Sequence, residues 1–182
     1  MAIRNRYEFT MIFDVENGNP NGDPDAGNNP RIDAETGIGL VTDVCLKRKI
    51  RNYVELVKNG EKGYNILIKA DKALNSKFED AYKTNNIDIK KGKNKDIDSV
   101  KIARDYMCAN YYDVRTFGAV MSTGDNPCGI VRGPVQINFA KSISSINIQD
   151  ITITRQGRTK QKDHDTGNTT EMGRKSIVAY AL

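Results

Sequence analysis

Tryptophan is absent from the 182 residues, histidine occurs once and cysteine three times. These scarcities exclude several chemistries. His164 stands between Asp163 and Asp165 in a polar stretch, so catalysis built on two imidazoles is ruled out, and a lone loop histidine is ordinarily a solvated one. Carboxylate or lysine bases remain open. Cys45, Cys108 and Cys128 are odd in number and show no metal-type spacing such as C-x-x-C, which favours buried thiols in a reducing, cytoplasmic compartment. No apolar run approaches the ~18–20 residues of a membrane span. The opening MAIRNRYEFT has no apolar core of a secretory signal. The glycine-containing stretch from Gly118 to Gly124 lacks the following Lys of a phosphate-binding P-loop. Internal repeats are also missing.

What remains is a moderately basic chain of formal net charge +5, with 38% hydrophobic residues, suited to one large domain. Tyr7, Phe9, Met11, Phe13 and Val15 alternate with polar neighbours, the pattern of a strand with one buried face. The next stretch, ENGNPNGDPDAGNNPRIDAETG, is too rich in Pro, Gly and Asn for regular structure, and long ordered loops are usually functional. A helix is predicted from Thr42 or Asp43 to Asn59-Gly60, with Leu46, Ile50, Tyr53 or Val54, and Val57 on its buried stripe. Lys47, Arg48 and Arg51 then fall on its accessible flanks. A short apolar piece, NILIK, leads to a lysine-rich loop from Ile87 to Asp96. A second helix starts near Asp98 or Ser99, with Val100, Ala103, Met107, Tyr111 and Val114 on one stripe. From Val131 to Phe139 the alternation returns to period two, although Pro134 restricts ladder hydrogen bonds. Ile151 and Ile153 mark another strand, and Ser176–Leu182 a last one. Between these lies a polar, basic tip, RQGRTKQKDHDTGNTTEMGRK, whose composition cannot bury enough apolar surface to order itself.

Two chemistries suit these residues. The loop acids Asp23, Asp25 and Asp33 are able in principle to hold Mg²⁺ for phosphodiester cleavage, which would make the chain a metal-dependent endoribonuclease. The same residues are the ordinary vocabulary of turns, and an EF-hand reading from Asn17 fails because its twelfth position is Asn28 rather than Glu. No metal or other cofactor is expected on that balance. Binding a nucleic-acid backbone is better supplied, by Lys47, Arg48, Arg51, Arg115, Arg132, Arg155, Arg158, Lys160, Arg174 and Lys175. Arg132, on a strand between apolar residues, must emerge on the face opposite the core. A sheet face carrying Arg suits single-stranded RNA.

Four blocks carry a resemblance. They are NGNPNGDPDAGNNPRIDAETGIGLVTDVCLKRKIRNYV (Asn17 to Val54), MCANYYDVRTFGAVMSTG (Met107 to Gly124), GIVRGPVQINFAKSI (Gly129 to Ile143) and EMGRKSIV (Glu171 to Val178). In these the sequence resembles the Cas-seven backbone family of type I CRISPR complexes, most closely the I-C (Dvulg) subtype. The resemblance implies an α+β, modified RRM-like (ferredoxin-like) antiparallel sheet forming one domain over residues 1–182. A helical insertion would occupy about 60–128 and a protruding thumb about 154–174. It implies a non-catalytic subunit that holds guide RNA (crRNA) by its phosphates for pairing with target DNA. Its partners would be copies of itself in a filament and the other type I-C subunits. Arg31, the basic helix, Arg115 and Arg132 would line the RNA groove. Met121 is a candidate wedge against the bases, and the alternative for it is a buried gap-filler. Chains of the family continue past the motif that here ends IVAYAL, so the expected fold is C-terminally truncated, with apolar sheet surface left uncovered and prone to association.

Overall fold

The computed structural model describes residues 3–87, 96–154 and 172–182. Its helices and small antiparallel sheets make the chain an α+β protein, in which two compact units are distinguished. One comprises residues 1–45 and 139–182, the other residues 46–138.

In the first unit the alternating N-terminal segment is not a strand along its whole length. The ladder opens only at β1 (Val15–Gly18), and Tyr7, Phe9 and Met11 stay exposed. Val15 pairs with Ala181 of β9 (Met172–Ala181), and the β1–β9 ladder runs from that pair to Gly18–Val178. On its other side β9 pairs with β8 (Ile148–Thr154), from Ile148–Val178 to Thr154–Met172. The two strands expected around the basic tip are therefore neighbours, and Ile177 and Val178 of β9 are buried. Ile151 and Ile153 of β8 are 40% and 48% exposed, so the apolar face expected there is only half covered.

The Asn- and Gly-rich stretch is ordered by short ladders and turns. β2 (Gly22–Asp23) pairs with β3 (Asn29–Pro30) around a single 3₁₀ turn, Pro24–Ala26, which Asp23 caps by accepting from the Asp25 N–H at 3.2 Å. Gly27 supplies the left-handed residue that ends it, at φ 63°. β4 (Ile38–Val41) pairs with β7 (Ala140–Ser145) across an irregularity between Ile38 and Leu40. α1 (Asp43–Val57) begins as expected, with Thr42 Oγ1 accepting from the Cys45 N–H at 3.3 Å.

The second unit has the larger core: Leu67, Phe78, Ala81, Tyr82, Ala103, Met107, Val114, Met121 and Cys128. Three helices feed it: α2 (Leu74–Thr84), α3 (Ile97–Asn110) and α4 (Tyr112–Phe117). α2 is an addition to the predicted elements, although Leu74, Phe78, Ala81 and Tyr82 recur at helical spacing. α3 matches its predicted stripe, with Ala103 and Met107 fully buried. β5 (Gly118–Met121) pairs with β6 (Gly129–Arg132). The strand predicted as far as Phe139 stops at Arg132, yet burial alternates on to Asn138. Pro134 lacks the N–H a ladder needs, and Val135 N–H bonds instead to Thr116 O at 3.0 Å. Among the described residues no helix is long and apolar enough to cross a membrane.

Candidate nucleic-acid interface

Each basic side chain has to be weighed by what it already touches. On α1, helical spacing puts Arg51 on an accessible flank. It is buried instead, and its Nε donates to Asp113 Oδ2 at 2.9 Å. The helical stripe turns slightly from the predicted one: Leu46, Arg51 and Val54 face inward, while Tyr53 and Val57 are 66% and 52% exposed. Asp113 is the cause. Its two oxygens also accept from the Leu67 and Ile68 N–H groups, at 2.8 and 3.1 Å, and a carboxylate buried that deeply requires a cation beside it. Arg48 is half-buried and donates to Ile68 O at 2.6 Å. Lys47 and Arg51 share the Phe117 ring, at 5.9 and 5.2 Å from its centroid.

Arg115, half-buried, lies over Tyr64 and Tyr112 at 5.2 and 5.6 Å and donates to Gly63 O and Cys108 O. Its guanidinium thus fastens the chain near Gly63 to the end of α3. Of the two readings offered for Met121, its placement is that of the gap-filler: it is fully buried in the core of the second unit. Arg132, by contrast, is exposed at the end of β6, on the outward side that strand alternation requires.

In the first unit Arg31 is half-buried, with Nη1 3.5 Å from Asp23 Oδ2, and its buried Nε has no hydrogen-bond partner among the described residues. Arg174 and Lys175 are exposed on β9 and line one polar cavity of about 410 Å³ with the Asn-rich turn. Arg155, Arg158 and Lys160, and most of the thumb segment, lie outside the described residues. Sequence reasoning missed Asn19 at this cavity. Its Nδ2 donates to Asn28 O at 2.8 Å, which fixes the amide orientation and leaves a buried Oδ1 without a partner among the described residues.

The loop acids serve turns. Asp33 Oδ1 accepts from the Glu35 and Thr36 N–H groups at 2.9 and 3.2 Å, and these bonds, that to Thr36 foremost, hold its carboxyl below the ordinary value. The sign follows from linkage: a depressed folded-state value stabilises above the unfolded value of 3.8 and is lost as pH falls through the folded one. Asp33→Asn is therefore expected to weaken the acid dependence of stability below about pH 4. Urea midpoints measured from pH 2 to 6 check this, and identical pH slopes in both proteins would refute it. Among the described residues no group of three or more His, Cys, Asp or Glu is placed to hold a metal ion. The Cys128 thiol is pushed up to about 12 by burial, which keeps it protonated and unreactive.

Two comparisons bear on what carries these groups. A CRISPR-associated protein Cas7 from Haloferax volcanii is 39% identical over 69 residues. That match covers 38% of this chain and 19% of the Haloferax protein, less than a fifth of its length. The family model described as CRISPR-associated protein Cas7 matches residues 5–182, nearly every residue of the chain. A match of that extent spans both compact units, and by it the chain belongs to the Cas7 family of CRISPR-associated proteins.

Proposed function

We propose that this chain is a non-catalytic, guide-RNA-binding backbone subunit of a type I CRISPR surveillance complex, of the I-C kind. In this reading the fold is a modified RRM-like sheet forming one domain, with a helical insertion over about 60–128 and a thumb over about 154–174. The protein works in the cytoplasm, in a filament of its own copies with other type I-C subunits. The observation that carries the proposal is family membership along residues 5–182. Exposed cations at Arg132, Arg174 and Lys175 are compatible with it.

The physical logic is one of indifference to sequence. Guides vary, so a subunit that holds them must grip phosphates, which carry no sequence information, and leave base edges to pair with target DNA. The contacts required are of one kind: cations for phosphate, supplied in this proposal by Arg132, Arg174 and Lys175 together with Arg31, Lys47 and Arg48. Arg155, Arg158 and Lys160 of the thumb belong to the same proposal. Arg51 and Arg115 act by supporting the groove, through Asp113 and through Gly63.

The deciding experiment is recovery of nucleic acid with the purified protein, typed by ribonuclease and deoxyribonuclease and sized. RNA of a defined length is expected; protein free of RNA, and unable to bind added RNA, would defeat the proposal. A second measurement tests the residues. Replacing Arg132, Arg174 and Lys175 with Ala should weaken unrelated guides about equally. It should also flatten the dependence of log K on log salt by ~0.7 per lost contact, roughly 2 for the triple variant. An unchanged slope would remove these three from the groove.

A further inference from the structure

We infer that the outer face of the β5–β6 hairpin, where Val120 stands opposite Ile130 beside Arg132, is a platform for the face of a nucleobase in bound RNA. The inference rests on the RNA-binding reading above. It adds to the phosphate contacts a contact with the bases that is indifferent to their identity.

Three observations meet on this two-stranded ribbon of the second unit. Val120 and Ile130 are paired directly across it, yet they are 71% and 56% exposed. The core makes no use of them, because strand alternation turns Met121 inward instead, where it is fully buried. Arg132 follows two residues after Ile130 on the same face, about 6–7 Å along the strand. Its partner in the ladder is Gly118, so no side chain stands across the ribbon from the guanidinium. The outward positions that continue the alternation, Pro134, Gln136 and Asn138, carry no acid that would repel a phosphate.

Size and charge together select the occupant. Two β-branched side chains side by side make an apolar surface that gains by leaving water. A protein partner needs far more than this pair, since a stable interface buries about 800 Å² on each side over ~20–30 residues. An unstacked base needs only an apolar surface near its own size, with a cation in reach of the phosphate on the same strand. Arg132 supplies that cation two residues from Ile130, and a guanidinium is suited to a phosphate. Val120 and Ile130 have no hydrogen-bonding groups in their side chains, so they cannot read a base edge, whereas every base offers them a face. The pairing edge of the base is left free, as a subunit that holds variable guides requires.

The test uses the 182-residue chain and two ribose-phosphate strands, each about a dozen nucleotides long, within the range a single-strand site covers. One is oligouridylate and the other is abasic throughout. The wild type is expected to bind oligouridylate about tenfold more tightly than the abasic strand. Val120→Thr combined with Ile130→Thr keeps both positions β-branched and should cut that ratio to about twofold. The salt slope of the double variant should stay unchanged, because no phosphate contact is lost. Arg132→Ala should weaken both strands by the same factor. Each ratio is taken within one protein, so partial loss of folded protein cancels. A second measurement uses the absence of tryptophan from the chain: Ile130→Trp introduces a lone indole on this face. Its emission should be quenched by saturating oligouridylate and not by the saturating abasic strand. A ratio that survives the double Thr variant, or indole emission that responds alike to both strands, overturns the inference while RNA binding stands. A double variant with the wild-type ratio but altered sedimentation does so too, and makes the patch a protein contact. Failure of the wild type to bind either strand overturns the RNA-binding reading itself, and this inference with it.

Discussion

Asp113→Ala is expected to destabilise the protein by about 3–5 kcal/mol, the usual penalty for stripping one partner from a buried ion pair. Asp113 is 1% exposed and accepts three hydrogen bonds, from Arg51 Nε and from the Leu67 and Ile68 N–H groups. Removing the carboxylate leaves a guanidinium in the interior without its counter-charge, and two backbone donors without acceptors. For a chain of this length each kcal/mol shifts the melting temperature by roughly 2–4 °C, so a fall of about 10 °C should be seen. Asp113→Asn should lie between the two proteins, since an amide retains one acceptor but turns its NH₂ either toward Arg51 and Ile68 or toward Leu67. Arg51→Met combined with Asp113→Leu should cost clearly less than the sum of the two single changes, because neither charge is then left alone. Urea unfolding of these variants beside the wild type decides it. Wild-type stability in Asp113→Ala would show that the pair contributes nothing. The same series separates two roles for Arg51: if it acts only through Asp113, Arg51→Met lowers RNA binding in step with the folded fraction and leaves the salt slope unchanged.

Gly133→Ala is expected to be as severe, for a steric reason. A Cβ built on Gly133 would stand 2.2 Å from the Phe117 carbonyl carbon, 2.3 Å from Gly118 N and 2.4 Å from Thr116 O. All three are backbone atoms at the junction of α4 with β5, so no rotamer change relieves the clash. Gly118 faces it with φ 84°, and a Cβ there would meet Gly133 N and Val131 O, each at 2.6 Å. Separating the segments should break the Val135–Thr116 bond and the Gly118–Arg132 pairing together, at about 3 kcal/mol or more. Gly27→Ala is the control. Its φ of 63° is unfavourable for alanine, but its Cβ would meet open space, so the loss should be near ~1–2 kcal/mol. A Gly133→Ala protein as stable as the Gly27→Ala one would mean that the close approach is not maintained in solution.

The parts of this protein that are legible in its sequence are those that depend on near neighbours. The start of α1 is readable because a cap needs only Thr42 and the amide three residues on. α3 is readable because Ala103 and Met107 repeat at the helical period, and the inside–outside alternation from Val131 to Asn138 survives even where Pro134 ends the ladder. The exposure of Arg132 follows from that alternation, and the turn chemistry of Asp23 and Asp33 from residue type. α2 is equally local, and the spacing of Phe78, Ala81 and Tyr82 is the signal that would have found it.

Other features are decided by residues far apart in the chain. Residues 7–14 carry a strand pattern, but a strand forms only where a partner stands in register, and β9 reaches no farther than Val15. Arg51 has the spacing of an accessible flank, yet Asp113, sixty-two positions away, draws it inside because a buried carboxylate must be neutralised. Met121 lies in a glycine-containing stretch, but the packing of three helices places it in the core. The amide of Asn19 is oriented by Asn28 O, nine residues on, which accepts from its Nδ2. Periodicity and capping are written in adjacent residues and so are determined by the sequence directly. Pairing, neutralisation and close backbone approach depend on distances between remote segments, and only the tertiary structure fixes those.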